Sequence, residues 1–200
     1  AGCGPERGQV PAKQAVCAAV GPREGQGRLP AVVEVFAGSA TFSRVARGRG
    51  IHVLAMDYAH NKHKTKVGVR RLDLTDASSQ ETLAQWVREL VATHDVFLLF
   101  APPCGTASKA REIRIPGKQN APRPLRSSKW PLGLPSLDEA ERARVDTANV
   151  LYQFVVDAVR SLPSHARWAI ENPTSSYLWK VPAMQKLSDE LDCVDVDLTA

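Results

Sequence analysis

Long apolar runs are missing from this 200-residue chain. Nothing approaches the ~20 consecutive apolar residues that a membrane helix needs. The N-terminus also lacks the charged-then-apolar layout of a signal peptide. Cysteine is scarce: Cys3, Cys17, Cys104 and Cys193 include no Cys-x-x-Cys pair, and none has a histidine at ligand spacing. That argues against a zinc site or a disulfide framework and for a reducing, intracellular compartment, with nucleus and cytoplasm both open. There is no G-x-G-x-x-G and no Gly-Lys-Ser, so the usual pyrophosphate cradles are absent. None of the five histidines (His52, His60, His63, His94, His165) has a motif tying it to a cysteine, which weighs against a thiol hydrolase.

What remains is an ordinary globular composition, 44% apolar and 24% charged. The length suits one domain with a real core. A net charge of +5 and a pI near 9.2 are consistent with a polyanionic partner. Residues 1–30 hold six Gly and four Pro with little periodicity. They read as a flexible arm or linker, with a short helix over Val10–Val20. Residues 31–200 form the core. There are no internal repeats.

Short apolar runs then alternate with helical patterns, as in βαβ units. The predicted strands are Ala31–Val35, Ile51–Asp57, Val67–Leu74, Val96–Phe100, Arg167–Glu171 and Cys193–Leu198. Helices are expected over Ser39–Gly48, over Ser79–Thr93 with Asp76 or Ser78 as cap, and over Leu137–Leu162. The last carries a capping box at Ser136–Glu139 and a buried stripe through Val145, Ala148, Tyr152, Val155, Val159 and Leu162. The fold class is α/β, Rossmann-like: a mostly parallel sheet with helices on both faces, three layers in all.

Three strand ends carry candidate chemistry. After the first comes Phe36-Ala37-Gly38-Ser39, entering a helix; Gly38 permits φ > 0 and close approach of a ligand. Asp57, about 20 residues on, stands where Rossmann-like folds place an acid on ribose hydroxyls, or else it caps a turn. Asp73 meets an adenine edge or is a turn aspartate. With no phosphate cradle, a nucleoside without phosphates fits best, and S-adenosylmethionine is the obvious candidate. After a second strand, Pro102-Pro103-Cys104 puts a thiol on a rigid turn. Lys109, Arg111 and Arg114 follow and are expected to favour its thiolate. After a third, Glu171-Asn172-Pro173 supplies a carboxylate whose pKa should rise if desolvated, unless it pairs with Arg167 or a loop lysine.

The ordered set resembles the DNA cytosine carbon-5 methyltransferases, with their Phe-x-Gly loop, Pro-Pro-Cys-x-x-x-Ser (here through Ser108) and Glu-Asn-Val. The match spans about Glu34 to Trp179. The resemblance implies a class I methyltransferase fold and S-adenosylmethionine held by Phe36, Ala37, Gly38, Ser39, Asp57, Asp73 and Pro102. It implies that Cys104 attacks carbon 6 of a flipped cytosine and that Glu171 holds the ring nitrogen and exocyclic amine, at a few kcal/mol of unstacking. The chain departs from the pattern at Ala40, where a second glycine is usual, at Gly105 for glutamine and at Pro173 for valine. It stops before the family's Gln-x-Arg-x-Arg segment and target-recognition region, so it is expected to be a partial core.

Residues 105–130 carry seven basic residues (Lys109, Arg111, Arg114, Lys118, Arg123, Arg126, Lys129) and one acid, Glu112. This segment either closes over a flipped base, with Ser108, Lys109, Arg111 and Arg114 on the nucleic acid, or is a solvated insertion. The run His60–Lys66 reads as an exposed turn. RNA or tRNA cytosine methylation uses the same core. A catalytically inactive, nucleic-acid-binding domain of a larger polyprotein, such as that of a mobile element, is the reading from a different class. Ala101 and Cys104 around Pro-Pro do not suit the amino-nitrogen methyltransferases. Oligomeric state is not legible.

Overall fold

The computed structural model describes residues 12–17, 27–113, 122–191 and 193–198. Its strands are β1 (Ala12–Cys17), β2 (Leu29–Val35), β3 (His52–Asp57), β4 (Val69–Arg71), β5 (His94–Phe100), β6 (Arg167–Pro173) and β7 (Val194–Leu198). Its α-helices are α1 (Thr41–Gly48), α2 (Ala77–Thr93), α3 (Glu139–Ser161) and α4 (Pro182–Glu190). The strands form one sheet in the order β4-β3-β2-β5-β6-β1-β7. The five from β4 to β6 are all parallel, an α/β arrangement. β1 runs antiparallel to both its neighbours.

Alternation along the central strands sorts the helices. Ala31, Val33 and Val35 of β2 and Val96, Leu98 and Phe100 of β5 belong to the main core, with apolar residues of α2, α3 and α4. The residues between them point the other way. There Phe97 meets the ring of Phe42 from α1, centroids 6.0 Å apart. From β2 the chain steps outward to β4, then crosses back to β5. The order therefore reverses between β2 and β5, where open parallel sheets leave a crevice beyond the strands' carboxyl ends.

Local signals start the helices. The Asp76 carboxylate caps α2 by accepting the Ser79 N–H at 3.0 Å. α3 opens with a capping box at Asp138 and Glu141, not at Ser136 and Glu139: the Glu141 N–H donates to Asp138 at 2.8 Å and the Asp138 N–H to Glu141 at 3.2 Å. Both tetrads fit the pattern, but Glu141 is also gripped by Arg123, which selects the later start. α4 has no counterpart among the sequence expectations. It is short, and its signals are Pro182 in the first turn and buried Met184 and Leu187 three apart.

The largest departure is β1. The Ala, Lys and Gln of Ala12–Cys17 favour helix, but the segment is a strand. Pairing with β6 on one side and β7 on the other satisfies its backbone, and such tertiary pairing overrides a weak local preference. Among the described residues no helix is long and apolar enough to cross a membrane.

Candidate active site

The loop after β2 alternates between ordinary and left-handed backbone: φ is 63° at Phe36, 54° at Gly38 and 54° at Ala40. Glycine adopts this region freely, whereas Phe and Ala each pay about 1 kcal/mol. What holds them there is a set of hydrogen bonds centred on buried Asp57. Its Oδ2 accepts the Gly38 N–H at 2.7 Å and the Asn61 amide at 3.0 Å, and its Oδ1 accepts the Tyr58 N–H at 2.7 Å. The same Asn61 amide donates to the Gly38 carbonyl at 2.6 Å. A carboxylate has about four acceptor positions, so among the described residues one on Oδ1 has no donor. A methyl added at Gly38 would touch only the His63 ring, at 3.9 Å, so the loop surface is clear for a ligand.

Ala40 cannot cap α1. Glu34, buried in β2, reaches across and accepts the Ser43 N–H at 2.8 Å instead. The signal for that role is an acid within an apolar strand, which must find a partner. Phe36 stands edge-on to Phe154 of α3 at 6.5 Å. Asp73 lies in an exposed turn before α2, accepting from the N–H and hydroxyl of Thr75.

The turn after β5 is clamped carbonyl by carbonyl. Pro102 O accepts the Asn172 amide at 2.8 Å and Pro103 O accepts the Tyr152 hydroxyl at 2.9 Å. Cys104 O accepts the N–H groups of Ala107 and Ser108 at 2.9 and 2.8 Å. Neither Asn172 nor Tyr152 stood out as a positioning residue in the sequence, although a tyrosine on a buried stripe needs a partner for its hydroxyl.

Cys104 follows β5, and Glu171 lies in the adjacent parallel strand β6, just past the last β5–β6 pair, Phe100 and Ile170. Burial, joined by the Glu171 charge, pushes the Cys104 thiol up. This corrects the expectation that neighbouring cations favour the thiolate. The Lys109 ammonium lies over the Tyr177 ring at 5.5 Å. The Arg111 guanidinium donates to the carbonyls of Gly105 and Arg123. Arg114 lies outside the described residues.

Burial also raises the Glu171 pKa. Arg167 does not relieve it, because that guanidinium grips Asp95. A carboxyl with a raised folded pKa binds its proton more tightly folded than unfolded, so its ionisation costs stability as pH rises past the ordinary glutamate value. Glu171→Gln should therefore be more stable than the wild type at pH 7, the advantage vanishing below the ordinary glutamate pKa. It should also lower the pH at which Cys104 alkylates with iodoacetamide. Paired urea titrations at pH 4 and 7 and an alkylation pH profile check both; a Gln variant no more stable at pH 7 would show that Glu171 is not desolvated.

The basic segment is largely committed to holding itself in place. Arg126 is 1% exposed and donates to the Thr106 hydroxyl, the Asn149 amide oxygen, and the Pro131 and Val145 carbonyls. Its guanidinium covers the Tyr152 ring at 5.2 Å. Arg123 is paired with Glu141 and donates to the Ser136 carbonyl. These two arginines fasten residues 122–135 to α3 and do not reach outward to phosphates. Ser108 caps the 3-10 turn Lys109–Glu112, accepting the Ala110 N–H at 3.2 Å. Tyr177 donates to Glu112, and burial with that bond pushes its pKa up to about 12. Lys118 lies outside the described residues.

A separate cavity of about 640 Å³ opens between α2 and α3, with Leu83, Val87, Leu98, Phe100 and Phe154 in its wall. No candidate site residue lines it. The structure thus gathers Phe36–Ser39, beyond β2, with Asp57 at the end of β3, and Cys104, beyond β5, with Glu171 and Asn172 in the last residues of β6, on either side of the switch point. Comparison of the chain with protein families, curated proteins and solved structures finds no match.

Proposed function

We propose that this chain is the Rossmann-like core of an S-adenosylmethionine-dependent methyltransferase that modifies carbon 5 of cytosine in DNA. One observation carries the reading: a clamped thiol and a desolvated carboxyl end adjacent parallel strands, beside a glycine loop at the point where the strand order reverses. The parallel strands, counted from β2, run 3-2-1-4-5, which supports a nucleoside site there.

The residues present fit the cofactor. The open acceptor position of Asp57 suits a ribose hydroxyl, and the clear surface over Gly38 beside Phe36 suits the rest of the nucleoside. When bound, S-adenosylmethionine supplies an electrophilic methyl group. Everything else falls to the chain. Glu171, holding its proton to higher pH than an ordinary glutamate, donates it toward the ring nitrogen of cytosine and makes carbon 6 electrophilic. The Cys104 sulfur then bonds to carbon 6, its own proton leaving to solvent or base, and electron density moves to carbon 5. After methylation, loss of the carbon-5 proton expels the thiolate and restores the ring. The carbonyl clamps from Asn172 and Tyr152 hold the sulfur in place for this attack.

Calorimetric titration with S-adenosylmethionine tests the cofactor half. Binding is expected in the wild type, at least tenfold weaker in Asp57→Ala and partly retained in Asp57→Asn. A wild type that takes up no heat from S-adenosylmethionine would overturn the reading.

A further inference from the structure

Charge is unevenly distributed along this molecule. Between Gly38 and Leu72 there are eight Lys or Arg and a single acid, Asp57; the remaining sequence has 18 basic and 20 acidic residues. The whole positive excess therefore sits in α1, the 58–66 loop and β4. Asp57 offsets little outside, since it is buried and bonded to the glycine loop.

All eight cations are exposed. α1 carries Arg44 and Arg47, with Arg49 directly after it; the loop carries Lys62, Lys64 and Lys66. β4 adds Arg71, and at its edge Arg70, which turns to the other face and lies over the Trp86 ring of α2 at 4.9 Å. Among the described residues none of them meets a carboxylate, whereas Arg88, Arg123, Arg160 and Arg167 each do. Unpaired like charges repel, so their accumulation opposes folding and suits a polyanion.

The loop is also positioned. Asn61 ties its start to Gly38 and Asp57, and the Asn61 side-chain oxygen accepts the His63 N–H at 2.9 Å. It leaves the carboxyl end of β3, the same end of the parallel strands at which Cys104 and Glu171 lie. We propose that α1, the 58–66 loop and the β4 edge form a docking surface for the phosphodiester backbone of duplex DNA, feeding the site beyond β5 and β6. The choice of DNA as the polyanion rests on the methyltransferase reading.

The test is fluorescence anisotropy of a labelled 20-base-pair duplex between 50 and 300 mM KCl. Each neutralised phosphate adds about −0.9 to the slope of log K against log salt. The triple variants Lys62→Glu/Lys64→Glu/Lys66→Glu and Arg44→Glu/Arg47→Glu/Arg49→Glu should each flatten that slope by about 2–3 and weaken binding at least tenfold. The α4-side control Lys180→Glu/Lys186→Glu should stay within twofold. Should a Glu triple misfold by circular dichroism, the Gln triple serves, with the same change in slope expected. An unchanged slope, an equal loss in the control, or binding to phosphatidylserine vesicles without binding to duplex would each overturn the proposal. Both triples should keep S-adenosylmethionine affinity. A wild type that binds duplex through this surface but takes no cofactor would overturn the methyltransferase reading and leave the surface standing.

Discussion

Cys104→Ser should lose at least about 10³-fold in methyl transfer while keeping S-adenosylmethionine affinity and melting temperature. The reasoning separates chemistry from structure. A serine hydroxyl is nearly the same size and leaves the backbone of the turn untouched, so Pro102 O, Pro103 O and Cys104 O keep their partners. What changes is the nucleophile: a hydroxyl ionises far less readily than a thiol and attacks carbon 6 correspondingly poorly. At 1.36 kcal/mol per tenfold, the expected loss is about 4 kcal/mol of transition-state stabilisation. Labelled methyl transfer to cytosine-containing DNA, with calorimetry and thermal melting in parallel, measures all three. A serine variant with activity near wild type would remove Cys104 from the mechanism.

Arg126→Ala should destabilise the protein by about 3 kcal/mol or more, a large share of a domain's total. The guanidinium is the meeting point of the segment 122–135, α3 and the turn after Cys104. Its removal opens a cavity and leaves buried acceptors on Thr106, Asn149 and Pro131 short of a donor, each worth about 1–3 kcal/mol when unsatisfied. Tyr152 loses the cation over its ring, so its grip on Pro103 should loosen and turnover should fall with stability. Arg126→Lys should recover little, because one ammonium cannot span acceptors arranged around a planar fork. Urea unfolding reads the effect as a shifted midpoint at constant slope. A midpoint within about 0.5 kcal/mol of wild type would mean that the segment is not fastened by this residue.

The contrast between Cys104 and Arg126 shows where sequence reading works here. Six strands announce themselves as apolar runs closed by turn residues, and candidate chemistry at strand ends inherits its position from them. That is how Gly38, Asp57, Cys104 and Glu171 fall at one end of the parallel strands. Partners are a different matter. Arg126 reads as one more cation in a proline-rich, basic stretch; only its neighbour Leu125, also buried, hints that the chain turns inward there. The expectation of a favoured Cys104 thiolate fails for the same reason, since proximity in sequence to Lys109 and Arg111 says nothing of where their heads point. The Lys62–Lys66 run is exposed, as its composition suggests. Its alignment with α1 and β4 needs the fold. β1 was hidden because six residues of mixed preference carry too little local information to outweigh two flanking strands.

That first strand has a consequence for how the protein comes into being. Ala12 pairs with Pro173 on one side and Leu198 on the other, so β1 is completed only by strands made long after it. At about 5–20 residues per second of synthesis, β1 waits roughly 10–30 s for β6 to be made. Through that interval it is an unpaired strand of mixed propensity. The β6 margin of the parallel sheet is paired only once β1 reaches it. Closing so wide a loop is slow, and during the delay an identical strand from a neighbouring chain competes for the same margin.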